Sequence, residues 1–371
     1  MADEIISRIQ KKLVKEGIGA VVVCSSDNIT YTAGYEVPSQ AFPIRERLIT
    51  CVITADGKDL MLVPDMEYSL AKSNARLSDI RMYNEFTQNP IDELCSILQE
   101  LGVAGDPIAI EDDFIPWTFL SHLYKLMPAA RFVAAKKFMS DVRLIKTPGE
   151  LEKLRKVNKI AEQSHYYAAA HAHAGLSELE YTQFIYNYLF SNGVETLNRL
   201  VVGSGERSEH GNANPTTRVF GPGEIVRADI FAKIGGYLSD VARTAVVGKP
   251  NSEQVEKWQK IIEARSLILD MIRPGASTMA IYNAFSRYFE KARLTPINFV
   301  GHGLGITLHE DPYISLYHDT ELQPGMVLAI EPLYFTQGEG YQIEEIVAVT
   351  ESGYELMTDC SDSTDLLEIK L

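Results

Sequence analysis

The stretch from Glu224 to Gly248, EIVRADIFAKIGGYLSDVARTAVVG, decides how the second half of this chain folds. Two strand-like runs flank Gly235–Gly236, a pair suited to a tight hairpin turn. With those glycines as the loop, residue 231 faces residue 240. Side chains two apart share a face, so Asp229 and Asp240 project to one side as diagonal neighbours. A register change of two residues keeps them together, whereas a slip of one separates them. Aspartates are depleted in strands and like charges repel. The pair therefore either caps strand ends in solvent or shares a cation.

Three further segments extend that choice. In NFVGHGLGITLHEDPYI (298–314), His302 is wedged between Gly301 and Gly303, with His309 seven residues on. A lone histidine is most often structural, but two in one Gly-rich run suit metal ligation or proton transfer near neutral pH. VLAIEPLY (327–334) and GYQIEEIVAV (340–349) place Glu331 and Glu344 inside apolar strands. Ile343, Val347 and Val349 share a face, so Glu344 points to the other, while Glu345 lies on the apolar face and reads as structural. Burying four acids and a histidine uncompensated costs on the order of several kcal/mol each. Two divalent cations balance the four carboxylates, giving Asp229, Asp240, His302, Glu331 and Glu344 as metal ligands. Oxygen-rich ligation with one imidazole suits Mn, Co, Fe or Zn.

The 371 residues suit two domains, 1–140 and 145–371. Helix and strand patterns alternate in the first: a helix ending near Gly17, a strand at Ala20–Cys24, and a hairpin of Leu48–Thr54 with Leu60–Val63. A helix at Ile91–Leu101, a strand at Ile108–Ile110 and a helix at Trp117–Leu126 follow. This predicts an α/β domain with a mixed sheet and no phosphate loop. Pro148 and Glu150 start the second domain's first helix. Helices at 149–174, 177–192, 252–272 and 277–291 alternate with strands near 201–202, 224–232, 237–247, 326–334 and 341–350. The net charge of −15 argues against nucleic-acid or anionic-membrane partners. Cys24, Cys51, Cys95 and Cys360 form no CxxC pair and read as reduced thiols. The N-terminal segment is an amphipathic helix rather than a signal peptide, and no long apolar run exists, so a cytoplasmic protein is expected.

Taken together, GYLSDVARTAVVG, GHGLGITLHEDP, PGMVLAIEP and QIEEIVAVTESGYELMT resemble the pita-bread metallopeptidases: methionine aminopeptidase, Xaa-Pro aminopeptidase and prolidase, with creatinase as a metal-free relative. VVCSSDNITYTAGY (22–35) is similar to the extra N-terminal domain of the creatinase and prolidase branch. The resemblance implies a two-domain α/β fold with a C-terminal curved antiparallel sheet. It further implies a dinuclear hydrolase of dipeptides or Xaa-Pro peptides, with a hydroxide between the metals as nucleophile, and a homodimer. Asp229 would chelate one metal, Asp240 and Glu344 would bridge, and His302 and Glu331 would complete the other. Glu331 would shuttle the proton, and His309 would hydrogen-bond the substrate carbonyl.

Three positions depart from the Xaa-Pro pattern. Asn298 stands where that branch has histidine, and Gln342 where it has arginine. Its other substrate histidine falls on Asn212, with His210 two residues upstream as the alternative catalytic group. A non-peptide hydrolase or lyase, such as an ectoine-type amidine hydrolase, is the rival activity, and a metal-free binding homologue the rival class.

Overall fold

The computed structural model describes residues 4–41, 47–336, 338–358 and 364–371. They form two compact units, Met1–Arg143 and Leu144–Leu371.

In the first unit, α1 (Glu4–Glu16) buries Ile5, Ile6, Ile9 and Leu13, one stripe at helical spacing. It ends at Gly17, whose φ of 66° suits a residue without a Cβ. Then come β1 (Ala20–Val23), α2 (Ser26–Ala33), β2 (Thr50–Thr54), β3 (Asp59–Pro64), α3 (Asp65–Asn74), β4 (Asp79–Tyr83), α4 (Pro90–Glu100), β5 (Pro107–Ile110), α5 (Trp117–Leu126), β6 (Arg131–Ala134) and α6 (Lys136–Arg143). The sheet runs β4-β3-β2-β1-β5-β6. It is mixed as expected, antiparallel through β1, β2 and β3 and parallel at β3–β4, β1–β5 and β5–β6. Helix α2 is absent from the sequence expectation, because its eight residues carry three threonines or serines and little helical periodicity. Tertiary bonds hold it instead. Buried Glu111 accepts from the Cys24 and Ser25 amides, from Ser25 Oγ at 2.7 Å and from Asn28 Nδ2 at 2.5 Å. Cys24, Cys51 and Cys95 are free and buried, whereas Cys360 lies outside the described residues.

The second unit opens with α7 (Pro148–His171) and α8 (Glu178–Ser191), followed by β7 (Thr196–Ser204), β8 (Ile225–Ile234), β9 (Tyr237–Leu238) and β10 (Val241–Val247). A second helix pair, α9 (Ser252–Met271) and α10 (Thr278–Lys291), precedes β11 (Phe299–Gly303), β12 (Glu310–Ser315), β13 (Val327–Ile330), β14 (Leu333–Thr336), β15 (Glu339–Gln342), β16 (Glu345–Val349), β17 (Tyr354–Leu356) and β18 (Leu367–Ile369). Helix starts are written locally: Thr147–Glu150, Ser177–Glu180 and Asn251–Gln254 are reciprocal capping boxes.

Helix pair then antiparallel strands occurs twice, a repeat that sequence identity hides. Gly175 and Gly275 both adopt positive φ, and Ser177 and Ser277, each capping a second helix, form equivalent antiparallel bridges to Val219 and Glu321. The strands make two sheets, β18-β10-β8-β7 with β9 on β8, and β12-β11-β13-β16-β17, plus the ribbon β14–β15. Side chain and backbone join them. Glu344 N donates to Ala242 O, and the Thr244 hydroxyl donates to Gln342 O at 2.8 Å while accepting from Gln342 N at 3.0 Å. Phe285, Phe289 and Ile261 pack with Val300, Leu328 and Val347 in one core cluster. Each such side chain contributes about 2 kcal/mol by leaving water.

Candidate metal centre

Hairpin register fixes the first two acids. Ile234 pairs with Tyr237, Lys233 with Leu238, Val241 with Ile230 and Ala242 with Asp229, so Asp240 falls opposite Phe231 and diagonal to Asp229. Asp240 itself lies in a break between β9 and β10. Helix α7 fills the broken ladder: Asn158 Oδ1 accepts from Asp240 N at 3.2 Å, and His165 Nε2 bonds Val241 O at 2.9 Å. Residues 158 and 165 are seven apart, hence on one helix face.

The runs expected as continuous strands at 326–334 and 341–350 are also broken, at Glu331–Pro332 and Ile343–Glu344. Pro332 has no N–H for a ladder, so pairing stops there. The Glu331 amide turns to Val300 O, and that of Glu344 to Ala242 O. Both glutamates therefore sit at interruptions and not inside strands. Glu345 faces Arg243 and Arg265 at 3.1 and 2.8 Å, a structural pairing. His302 is held in β11 because neither flanking position has room for a Cβ: at Gly301 it would meet Ala329 O, at Gly303 the Asp311 carbonyl.

These devices bring Asp229, Asp240, His302, Glu331 and Glu344 together, all buried. His302 Nε2 lies 3.3 Å from Asp240 Oδ2 and 3.4 Å from Glu331 Oε1. Its Nδ1 sits 3.0 Å from Gly303 O, which fixes the ring and turns Nε2 inward. Ligand atoms fall into three overlapping triads: Asp229, Asp240 and Glu344; His302, Glu331 and Glu344; and Asp240, His302 and the more exposed His309. Within each triad they lie within 4.8 Å of one another. Asp229 Oδ1, His302 Nε2 and Glu344 Oε2 are buried without a hydrogen-bond partner. Such orphaned atoms are costly unless a cation completes them.

Electrostatics agree. Burial, then the Asp240 charge, holds the Asp229 carboxyl well above the usual range; burial, then Asp240 and Asp229, does the same to Glu344. Burial pushes Asp240 up to about 6 against the pull of His302. Burial disfavours the His302 cation, but the neighbouring Asp240 and Glu331 carboxylates outweigh it and raise His302 to about 10. Without metal the cluster thus retains protons that a cation would displace. The donor set fits divalent ions.

A cavity of about 270 Å³ opens on the cluster, walled by Phe231, Phe299, Leu333 and Phe335. His309 lines it, exposed, with its ring stacked on His302 at 3.7 Å. Desolvation, then the His302 charge, depresses it to about 4, so it is neutral at pH 7. Asn212 lines the cavity, whereas His210 is exposed and gives its carbonyl to Arg227. Asn298 is exposed just before β11, and Phe299, the first residue of that strand, lines the cavity in its stead. Gln342 lines the cavity between Arg227 and Glu331. The loop bearing Asn212 is pinned by buried Glu178, which accepts from Ser204 N and Thr216 N at 2.8 and 2.9 Å.

Besides the apolar walls, two lining arginines escaped the sequence reading. Arg227 is wholly buried, and Arg199 stands exposed at the rim, bonded through Nη2 to Asn212 O and Asn214 Oδ1. The signal for Arg227 was its place two before Asp229, on the same strand face.

Residues 152–351 match the model for metallopeptidase family M24, and residues 5–145 that for the creatinase/prolidase N-terminal domain. A Xaa-Pro dipeptidase from Pyrococcus furiosus is 26% identical, aligned over 96% of this chain and 97% of the relative. The prolidase structure from Pyrococcus horikoshii superposes with TM-score 0.85 at 25% identity, over 98% of this chain and all of that one. The X-Pro aminopeptidase of Thermotoga maritima reaches 0.87 at 21% identity, covering 98% and 99%. With its catalytic-domain model spanning more than half of the residues, the chain belongs to metallopeptidase family M24.

Proposed function

We propose that this chain hydrolyses dipeptides, Xaa-Pro dipeptides among them, with two divalent ions of the Mn, Co, Zn or Fe group. The observation that carries the reading is the trio of orphaned buried ligand atoms, Asp229 Oδ1, His302 Nε2 and Glu344 Oε2, in one acidic cluster beneath a cavity. Asp229 would hold one ion, Asp240 and Glu344 both, and His302 with Glu331 the other. When bound, the ions supply Lewis acidity to the scissile carbonyl and lower the pKa of water. Glu331 takes up the water's proton and returns it to the leaving amine. Neutral His309 donates an N–H where charge builds on the carbonyl oxygen. The aromatic walls accept an apolar side chain or a proline ring. Arg199 at the rim offers its guanidinium to the terminal carboxylate of a short peptide. Support for dipeptides also comes from the relatives, named as Xaa-Pro dipeptidase and prolidase.

The test pairs metal analysis with a substrate panel. Saturated protein should carry close to two ions per chain and cleave at least one of Ala-Pro, Gly-Pro and Met-Ala with Mn, Co or Zn. Asp240→Ala should lose both paired metal and turnover. An ion-free protein, or activity confined to cyclic amidines, overturns the proposal.

A further inference from the structure

We propose that Arg227 is a positioning residue: it locks the Gln342 side-chain amide in one orientation and so makes Gln342 a fixed hydrogen-bond donor to Glu331. Arg227 is 1% exposed, an expensive place for a charge. Among the described residues no carboxylate accepts a hydrogen bond from it. Its N–H groups go to backbone carbonyls, Nε to Ser208 O at 3.0 Å and Nη2 to His210 O and Gly211 O at 2.6 and 2.9 Å, and to one side chain, Gln342 Oε1, from Nη1 at 2.6 Å. Phe335 covers it, 5.5 Å from ring centre to guanidinium carbon.

A primary amide can exchange its oxygen and nitrogen by a half-turn. Guanidinium offers donors only, so Gln342 must present oxygen to Arg227. The Thr244 hydroxyl fixes the Gln342 backbone through both its N–H and its C=O, and the residue is buried. Its NH₂ group therefore faces Glu331 Oε2, 3.5 Å away. A flipped amide would set donors against Arg227 and an oxygen against the Glu331 carboxylate. Arg227 thereby fixes, through Gln342, the plane of the carboxylate that carries the proton. This rests on the reading of Glu331 given above.

A purely structural tie between β8, β15 and the loop at 208–211 makes a different forecast, and Gln342→Glu separates the two. That variant keeps an acceptor for Arg227, now charged, but removes the donor toward Glu331. We expect melting temperature at or above wild type and metal content at saturation unchanged. Dipeptide kcat should fall about tenfold or more with KM within about threefold, the mark of a misplaced group. Wild-type kcat in Gln342→Glu overturns the proposal. An activity-independent measurement uses ¹H–¹⁵N spectra, with the Gln342 side-chain pair assigned by its absence from Gln342→Glu. In the wild type the pair should be sharp and slow to exchange. Arg227→Lys should broaden it and speed exchange; unchanged protection refutes the locking role. If wild-type protein cleaves no dipeptide, the functional reading fails, while the amide measurement still decides the orientation.

Discussion

Removing the metal should make stability depend on pH in a direction opposite to that of ordinary acid denaturation. Asp229, Asp240, Glu344 and His302 all have pKa values raised in the folded, metal-free protein. A raised folded pKa means that the folded state holds more protons than the unfolded one. Stability is then fully present below the unfolded value and is lost as pH climbs through the folded value. For Asp240 the window runs from 3.8 to about 6; for His302 it runs from 6.5 to about 10. At about 1.4 kcal/mol per pKa unit, Asp240 alone removes about 3 kcal/mol by pH 7. In a unit of this size that lowers Tm by roughly 6–12 °C. Chelated protein followed by calorimetry from pH 6.5 to 9, above the range in which the depressed histidines His165 and His309 act with the opposite sign, should therefore melt at falling temperature as pH rises, and metal-saturated protein should not. In the chelated form, Asp240→Asn should match wild type near pH 4 and melt higher at pH 8. Identical pH profiles for the two proteins would refute the claim that Asp240 is strained by burial.

His309→Ala should keep full metal content while kcat drops on the order of a hundredfold, since an oxyanion donor is lost and no ligand is; loss of metal would make it a ligand instead. Arg199→Ala should raise KM about tenfold for a dipeptide and leave KM for the corresponding dipeptide amide unchanged; an equal effect on both would remove the carboxylate from its role. Glu111→Gln should destabilise the first unit by about 2–3 kcal/mol, because a charged acceptor of four bonds becomes a neutral one, with urea denaturation as the readout.

Much of this centre was legible in the chain. Gly235–Gly236 set the register, and period-two alternation then put Asp229 and Asp240 on one side. The expectation of continuous strands failed at the two ligands Glu331 and Glu344. A run such as Val327–Tyr334 reads as one strand because the apolar residues on either side of Glu331–Pro332 suit a sheet; Pro332 was the local warning. The choice between His210 and Asn212 lay beyond periodicity, because it depends on how Glu178 and Arg227 pin an irregular loop from two directions. Arg227 itself could have been found by the logic applied to Asp229. An arginine in an all-buried strand needs partners, and here they are carbonyls far along the chain.

The duplicated layout has a thermodynamic consequence. Asp229 and Asp240 come from the first helix-pair-and-strand half, and His302, Glu331 and Glu344 from the second. Ions held by both sets would act as cross-links between segments about 60 to 115 residues apart, restricting the unfolded chain much as a disulfide spanning a long loop does. Metal-loaded protein should then protect amides of β8 and β13 from hydrogen exchange as a single cooperative block, while demetallated protein lets the two halves open separately.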